Sequence, residues 1–191
     1  MPSQRNRISL IGRRQFIVGG CALCCTPITK TLAASTTLNP SNTVTIEQFS
    51  ASGTSEGLLN VTMIIKSDAQ WRQQLSDLAY WVTRHDGTEF AYTDEHLDEH
   101  IPGLYRCIGC DTALFDTKAK FDSGTGWPSF WQPISQHNIV QTDVDDVGLQ
   151  GVAVSCRRCA AHLGHVFGDG PQPTGLRYCI NSVALKFYAY A

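Results

Sequence analysis

The chain has 191 residues, with 15 Lys and Arg against 17 Asp and Glu, for a formal charge of -2. That length allows one domain with a substantial core plus an appendage. The charge balance, with no long basic stripe, argues against nucleic acid as the main partner.

In chain order, residues 1–34 read as an address. Arg5 and Arg7 precede Gly12-Arg13-Arg14-Gln15-Phe16-Ile17, which resembles a twin-arginine export signal. The apolar stretch that follows, from Phe16 to about Ile28, is interrupted by Gly19, Gly20 and Pro27. It is too short for a spanning helix, so no stable membrane insertion is expected. Ala33, Ala34 and Ser35 offer a cleavage site, and the expected location is the periplasm. The alternative is a disordered basic tail. Residues 35–66, rich in Ser, Thr, Asn and Gly, read as a linker with one strand near Val61–Ile65.

Residues 67–191 read as the functional domain. A helix is expected from Ser67, where Ser67 and Gln70 fit a capping box and Trp71, Leu75, Leu78 and Val82 recur at helical spacing. His85-Asp86-Gly87 ends that unit. Beyond Gly103 the pattern shifts to short strands, with Val152 and Val154 alternating and then Val183, Leu185 and Phe187. Gly and Pro punctuate Ser123–Pro128 and Gly168–Gly175, which look like loops that shape a site. The expected fold class is mainly β: small antiparallel sheets with short flanking helices.

Cysteine is the unusual residue, with eight in three groups. Cys21, Cys24 and Cys25 leave with the signal if it is removed. Cys107-Ile-Gly-Cys110 and Cys156-Arg-Arg-Cys159 are two C-x-x-C knuckles, and each presents two sulfurs on one side of a tight turn. Together they suit a tetrahedral zinc ion. Four thiolates leave no open position, so such a zinc is structural and ties distant segments together. Two disulfides, or iron in the same cage, are the alternatives.

Cys179 stands apart, in Arg177-Tyr-Cys-Ile-Asn-Ser182. On an extended segment Arg177, Cys179 and Asn181 share a face, where Arg177 favours a thiolate and Asn181 can donate a hydrogen bond. By itself this cysteine reads more readily as a small buried hydrophobe. His162-Leu-Gly-His165 follows the second knuckle. The two histidines are either further metal ligands or an acid/base pair beside the thiol, with a bulge at Gly164 bringing both rings to one site. Trp127, between Gly126 and Pro128, can wall a small apolar pocket.

Taken together, these segments resemble the type B methionine sulfoxide reductases. The resemblance rests on Lys120–Phe130, His162–Phe167, Asp169–Pro171, Pro173–Gly175, Arg177–Ser182 and both knuckles, and covers about residues 67–190. It implies two antiparallel sheets with short helices, a structural zinc, and reduction of the R epimer of methionine sulfoxide in oxidised proteins. It makes Cys179 the nucleophile, with His162, His165 and Asn181 as its catalytic company and Trp127, Phe167 and Arg177 as substrate-binding residues. One departure matters. Many members carry a resolving cysteine in the Ser-Gly-x-Gly-Trp loop, where this chain has Thr125. An external thiol, such as a thioredoxin-like protein, is therefore the expected reductant. A second departure, Asp111 in place of a common Gly after the first knuckle, is expected to be tolerated.

Overall fold

The computed structural model describes residues 42–191 apart from 94, 95, 97–100 and 144–150. The signal-like segment, with Arg13, Arg14, Cys21, Cys24 and Cys25, lies outside the described residues.

Ser67 caps the first helix as its sequence suggests. Its side chain accepts from the Gln70 N–H, and the Gln70 side chain accepts from the Ser67 N–H. The helical run is split, however, into α1 (Asp68–Gln74) and α2 (Asp77–Arg84). Leu75 is extended, and Ser76 caps α2 by accepting from the Ala79 N–H. The break resets the helical phase. Trp71, Leu75 and Val82 stay buried, whereas Leu78, expected on the same apolar face, is 44% exposed. Among the described residues, no helix is long and apolar enough to cross a membrane.

The rest is antiparallel β structure. The strands are β1 (Thr43–Phe49), β2 (Ser55–Thr62), β3 (Gly103–Cys107), β4 (Ala113–Asp116), β5 (Lys120–Phe121) and β6 (Ser129–Phe130). They continue with β7 (Ile139–Asp143), β8 (Val152–Cys156), β9 (His162–Phe167), β10 (Arg177–Ile180) and β11 (Leu185–Ala189). Strands β11-β3-β4 form a three-stranded sheet, and β5-β6-β10-β9-β8-β7 form a six-stranded one. Aromatic rings join the two. Tyr105 and Phe115 of the small sheet meet Phe130 and Tyr178 of the large one, and all four are fully buried. Phe115 stacks on Phe130 at 4.4 Å between centroids, and Tyr105 meets Phe130 edge-on at 5.1 Å. Such pairs add about 1 kcal/mol each beyond the area they bury.

From Asn42 on, the stretch expected as a linker is instead ordered chain. It forms a third sheet, the β1–β2 hairpin, with its second strand ending at Thr62 rather than running through Ile65. Polar Ser, Thr and Asn content hides two inward residues, Ile46 and Phe49, whose odd spacing is taken up by a register shift between Gln48 and Phe49. Phe49 packs with Leu104 and Ala113. Asn138, in a single 3₁₀ turn and fully buried, bonds to the backbone of both pieces. Its Oδ1 accepts from the Glu47 N–H at 2.8 Å, and its Nδ2 donates to the Glu47 carbonyl at 2.9 Å and the Ala113 carbonyl at 2.8 Å.

Replacing Asn138 by Ala leaves these backbone groups buried without partners, and orphaned groups of this kind cost about 1–3 kcal/mol each. Asn138→Ala should therefore lower unfolding stability by about 3 kcal/mol in denaturant melts. A loss below about 1 kcal/mol would mean the hairpin is not fastened there.

Candidate metal centre and active site

The knuckles are repeats of one backbone design. Cys107 and Cys156 each end a strand. The carbonyl of each accepts from the N–H four residues on, at Asp111 (2.9 Å) and Ala160 (2.8 Å). The N–H of each donates back across the turn, to the Thr112 and Ala161 carbonyls at 2.9 Å. Both turns need a left-handed residue after the second cysteine, and Asp111 (φ 62°) and Ala160 (φ 53°) fill that position. Asp is among the residues that enter this region readily, so Asp111 can replace glycine at small cost.

The first knuckle joins β3 to β4 in the small sheet, and the second joins β8 to β9 in the large one. Their four sulfurs lie within 4.8 Å of one another. Cys107 and Cys159 are 3.6 Å apart, and Cys110 and Cys156 are 3.4 Å apart. A disulfide would need about 2.05 Å. A tetrahedral ion with metal–sulfur bonds of about 2.3 Å sets sulfurs about 3.8 Å apart. The residues thus fit a metal cage and not a pair of disulfides. The helices close over it, with Arg84 donating to the Cys159 carbonyl at 2.9 Å and Gln74 to the Gly109 carbonyl at 2.8 Å.

Cys179 sits on β10, a central strand, paired with His165 of β9 on one side and Ser129 of β6 on the other. Opposed residues of antiparallel strands share a face, so thiol, imidazole and hydroxyl form one row across the sheet. The thiol opens into a pocket of about 260 Å³ lined by Thr88, Trp127, Gly164, His165, Phe167 and Asn181. The bulge expected near Gly164 is present. In the β8–β9 pairing Val154 opposes Gly164 and Ser155 opposes His162, which leaves Leu163 as the extra residue. The two imidazoles accordingly meet edge-on at 5.3 Å. A side chain at Gly164 would collide with the Cys179 carbonyl, its Cβ lying 2.1 Å from that oxygen.

His162 lies behind His165 rather than on the pocket wall. It is 3% exposed, with Nδ1 at 3.8 Å from Asp86 and a buried Nε2 that has no hydrogen-bond partner among the described residues. Neither histidine would be needed by a metal ion there, since the four sulfurs alone form a closed tetrahedral set. Arg177 also stands back from the pocket. Asp169 holds its guanidinium through two bonds of 2.9 and 2.8 Å, and the group lies over the Phe167 ring. Sequence alone suggests that Arg177 favours the thiolate, and its charge does act in that direction. Burial outweighs it, and with Thr125 and Arg177 both opposing, the Cys179 thiol is still pushed up from its ordinary range.

Glu89 is the residue that sequence reasoning underrates. Its backbone N–H donates to Asn181 Oδ1 at 3.0 Å, and its carbonyl accepts from Trp127 Nε1 at 3.2 Å. Its buried carboxylate accepts from the N–H groups of Ser182 (2.6 Å) and Val183 (3.1 Å). One residue thus fixes the Trp wall, the amide and the turn that follows the Cys179 strand. No local spacing signals this, because the partners lie between 38 and 94 residues away.

The fold and site therefore define a mainly β domain, clasped by a four-cysteine metal cage, with a thiol and an imidazole facing a small apolar pocket. Known proteins make the class specific. The SelR domain family matches residues 75–189. Peptide methionine sulfoxide reductase B1, chloroplastic, of Arabidopsis thaliana is 50% identical over 123 residues, 64% of this chain and 61% of that protein. The protein of the same name in Oryza sativa is 50% identical over 120 residues, 63% of this chain and 56% of its own length. Peptide methionine sulfoxide reductase MsrB of Thiobacillus denitrificans is 50% identical over 123 residues, 64% of this chain and 93% of its own length. The chain thus spans less than two thirds of the two plant relatives. This chain belongs to the SelR domain family.

Burial lowers the proton affinity of both His162 and His165. An unfolded histidine titrates near ~6.5. The unfolded chain therefore takes up more protons than the folded one as pH falls through that value, and stability declines. The denaturation midpoint should drop between about pH 7 and pH 5.5, with a shallower slope in His162→Gln. Parallel slopes in the two proteins would show that His162 is not held neutral by the fold.

Proposed function

We propose that this chain reduces methionine sulfoxide in oxidised proteins, acting on the R epimer through Cys179. The observation that carries the reading is the row Cys179–His165 beneath the Trp127 wall, in a chain 50% identical over 123 residues to a protein named peptide methionine sulfoxide reductase. The pocket suits a small apolar end group: Trp127 takes the methyl group, with Phe167 completing the apolar side. The Cys179 thiolate attacks the sulfoxide sulfur. His165, with His162 behind it, and Asn181 bind the oxygen and bring it a proton. Arg177 holds Phe167 and adds positive charge near the thiolate. Attack forms a sulfur–sulfur bond; the protonated oxygen then passes to the Cys179 sulfur as the methionine sulfur–oxygen and sulfur–sulfur bonds break, so methionine leaves and Cys179 is left as a sulfenic acid. Because burial keeps the resting thiol mostly protonated, ionisation is favoured only once the pocket is engaged.

Among the described residues, every other cysteine belongs to the four-sulfur cage, and Thr125 stands where a resolving thiol would be. Two external thiols, of a thioredoxin-like protein or a smaller reductant, then return Cys179 to the thiol and release water. The caged ion is zinc and is structural, since four thiolates leave it no open coordination position. The Arg13-Arg14 segment marks export by the twin-arginine route, after which residues 1–34 are removed.

The experiment pairs metal analysis with assays on the two separate epimers of a protein-bound methionine sulfoxide, using a chemical thiol as reductant. One zinc per chain is expected, with turnover of the R epimer only and a loss of at least about a thousandfold in Cys179→Ser. Unchanged turnover in that variant would sink the mechanism, and selective use of the S epimer would sink the substrate assignment.

Export has its own test. Replacing Arg13 and Arg14 with Lys should leave the chain in the cytoplasm at its full 191-residue length. Undiminished export of that variant would remove the twin-arginine reading.

A further inference from the structure

Three hydroxyls run in file to the Cys179 sulfur. Thr125 Oγ1 lies 3.9 Å from Cys179 Sγ, Ser123 Oγ is 2.8 Å from Thr125 Oγ1, and Ser129 Oγ is 2.7 Å from Ser123 Oγ. At the far end Ser129 donates to the Trp127 carbonyl at 3.1 Å. Each hydroxyl has a single hydrogen to give, so that last bond sets the direction of the others. With the Ser129 hydrogen on a carbonyl, Ser123 must donate to Ser129 and Thr125 to Ser123. The Cys179 S–H must then donate to Thr125. The resting chain points away from the sulfur.

We infer that Thr125, Ser123 and Ser129 form a reversible hydroxyl chain that turns toward Cys179 and hydrogen-bonds its sulfur whenever the sulfur is anionic. This rests on the reading of Cys179 as the nucleophile. The chain cannot carry the thiol proton off, because it ends on a carbonyl; that proton leaves on the pocket side. The three hydroxyls then rotate. Ser129 donates to Ser123, Ser123 to Thr125, and Thr125 to the thiolate. The Trp127 carbonyl loses its Ser129 donor, and the sulfur gains a charge-assisted one. The Ser129–Ser123 and Ser123–Thr125 links both survive in either direction, so the reversal needs no backbone movement.

The geometry favours a device of this kind over ordinary loop packing. Ser129 is 1% exposed and lies directly opposite Cys179 in the β6–β10 pairing. The other groups facing the thiol are His165 on β9, with His162 behind it, and Arg177 on β10, already engaged by Asp169. Asp122, at the start of the loop, is exposed and accepts from the Gly124 N–H. Thr125 touches the reacting sulfur and is a catalytic residue. Ser123 and Ser129 act through it and are positioning residues.

The test reads Cys179 ionisation directly, from the pH dependence of its alkylation by iodoacetamide in the metal-loaded chain, with Cys179→Ser as the blank. Thr125→Val should raise the midpoint by about one pH unit, and Thr125→Ser should restore it. Ser123→Ala should raise it by about half as much in the wild-type background and by nothing in Thr125→Val. That dependence separates a chain from two independent contacts. Should the valine variant lose its metal, Thr125→Ala takes its place. An unmoved midpoint in the Thr125 variant, or an equal Ser123→Ala shift in both backgrounds, overturns the chain. Reductase activity retained in Cys179→Ser would remove the nucleophile reading instead, leaving the ionisation result intact.

Discussion

Four sulfur atoms hold the two main sheets of this domain in one relation. The first knuckle is the turn of the small sheet and the second the turn of the large one. The β9 strand that leaves the second knuckle carries both histidines within six residues of Cys159. The strand beside it carries Cys179. The position of the Cys179–His165 row is therefore tied to the four-cysteine cluster, which could hold a metal ion. Sulfurs held at 3.4 and 3.6 Å repel one another as thiolates unless a cation lies among them. Metal occupancy and sheet geometry are thus one question, as is usual where ligand binding supplies folding free energy.

Upon that frame the site is assembled by long-range hydrogen bonds. Asn181, Trp127 and the turn after Cys179 all refer to Glu89, which α2 and its exit deliver to the site. This division of labour accounts for what could be read in advance. The C-x-x-C knuckles, the lone thiol, the histidine pair around Gly164 and the Trp on a Gly/Pro loop all announce themselves by residue type and spacing. Tertiary reach does not. Glu89 was unremarkable in sequence because its function lies in where its backbone and carboxylate end up.

Two elements misread in sequence have equally physical causes. Trp71, Leu75, Leu78 and Val82 keep perfect helical spacing, but Ser76-Asp77 offers a second cap that competes with continuation through Leu75. Local side-chain hydrogen bonding won, and Leu78 turned outward. The β1–β2 hairpin has the composition of a linker, rich in Ser, Thr and Asn. Its inward residues, Ile46 and Phe49, are too few to stand out among serines and threonines, and the feature that fixes it, Asn138, lies about ninety residues away.

That hairpin lies N-terminal to the region matched by the SelR domain family, which begins at Leu75. Yet it is wired into the interior: a buried amide spends hydrogen bonds on it, and Phe49 shields Leu104 and Ala113. Family boundaries drawn from shared sequence would cut through this polar core. In a recombinant fragment trimmed to the matched region, Asn138 would lose its two bonds to the Glu47 backbone. The hairpin begins at Thr43, more than thirty residues before the region matched by the family does.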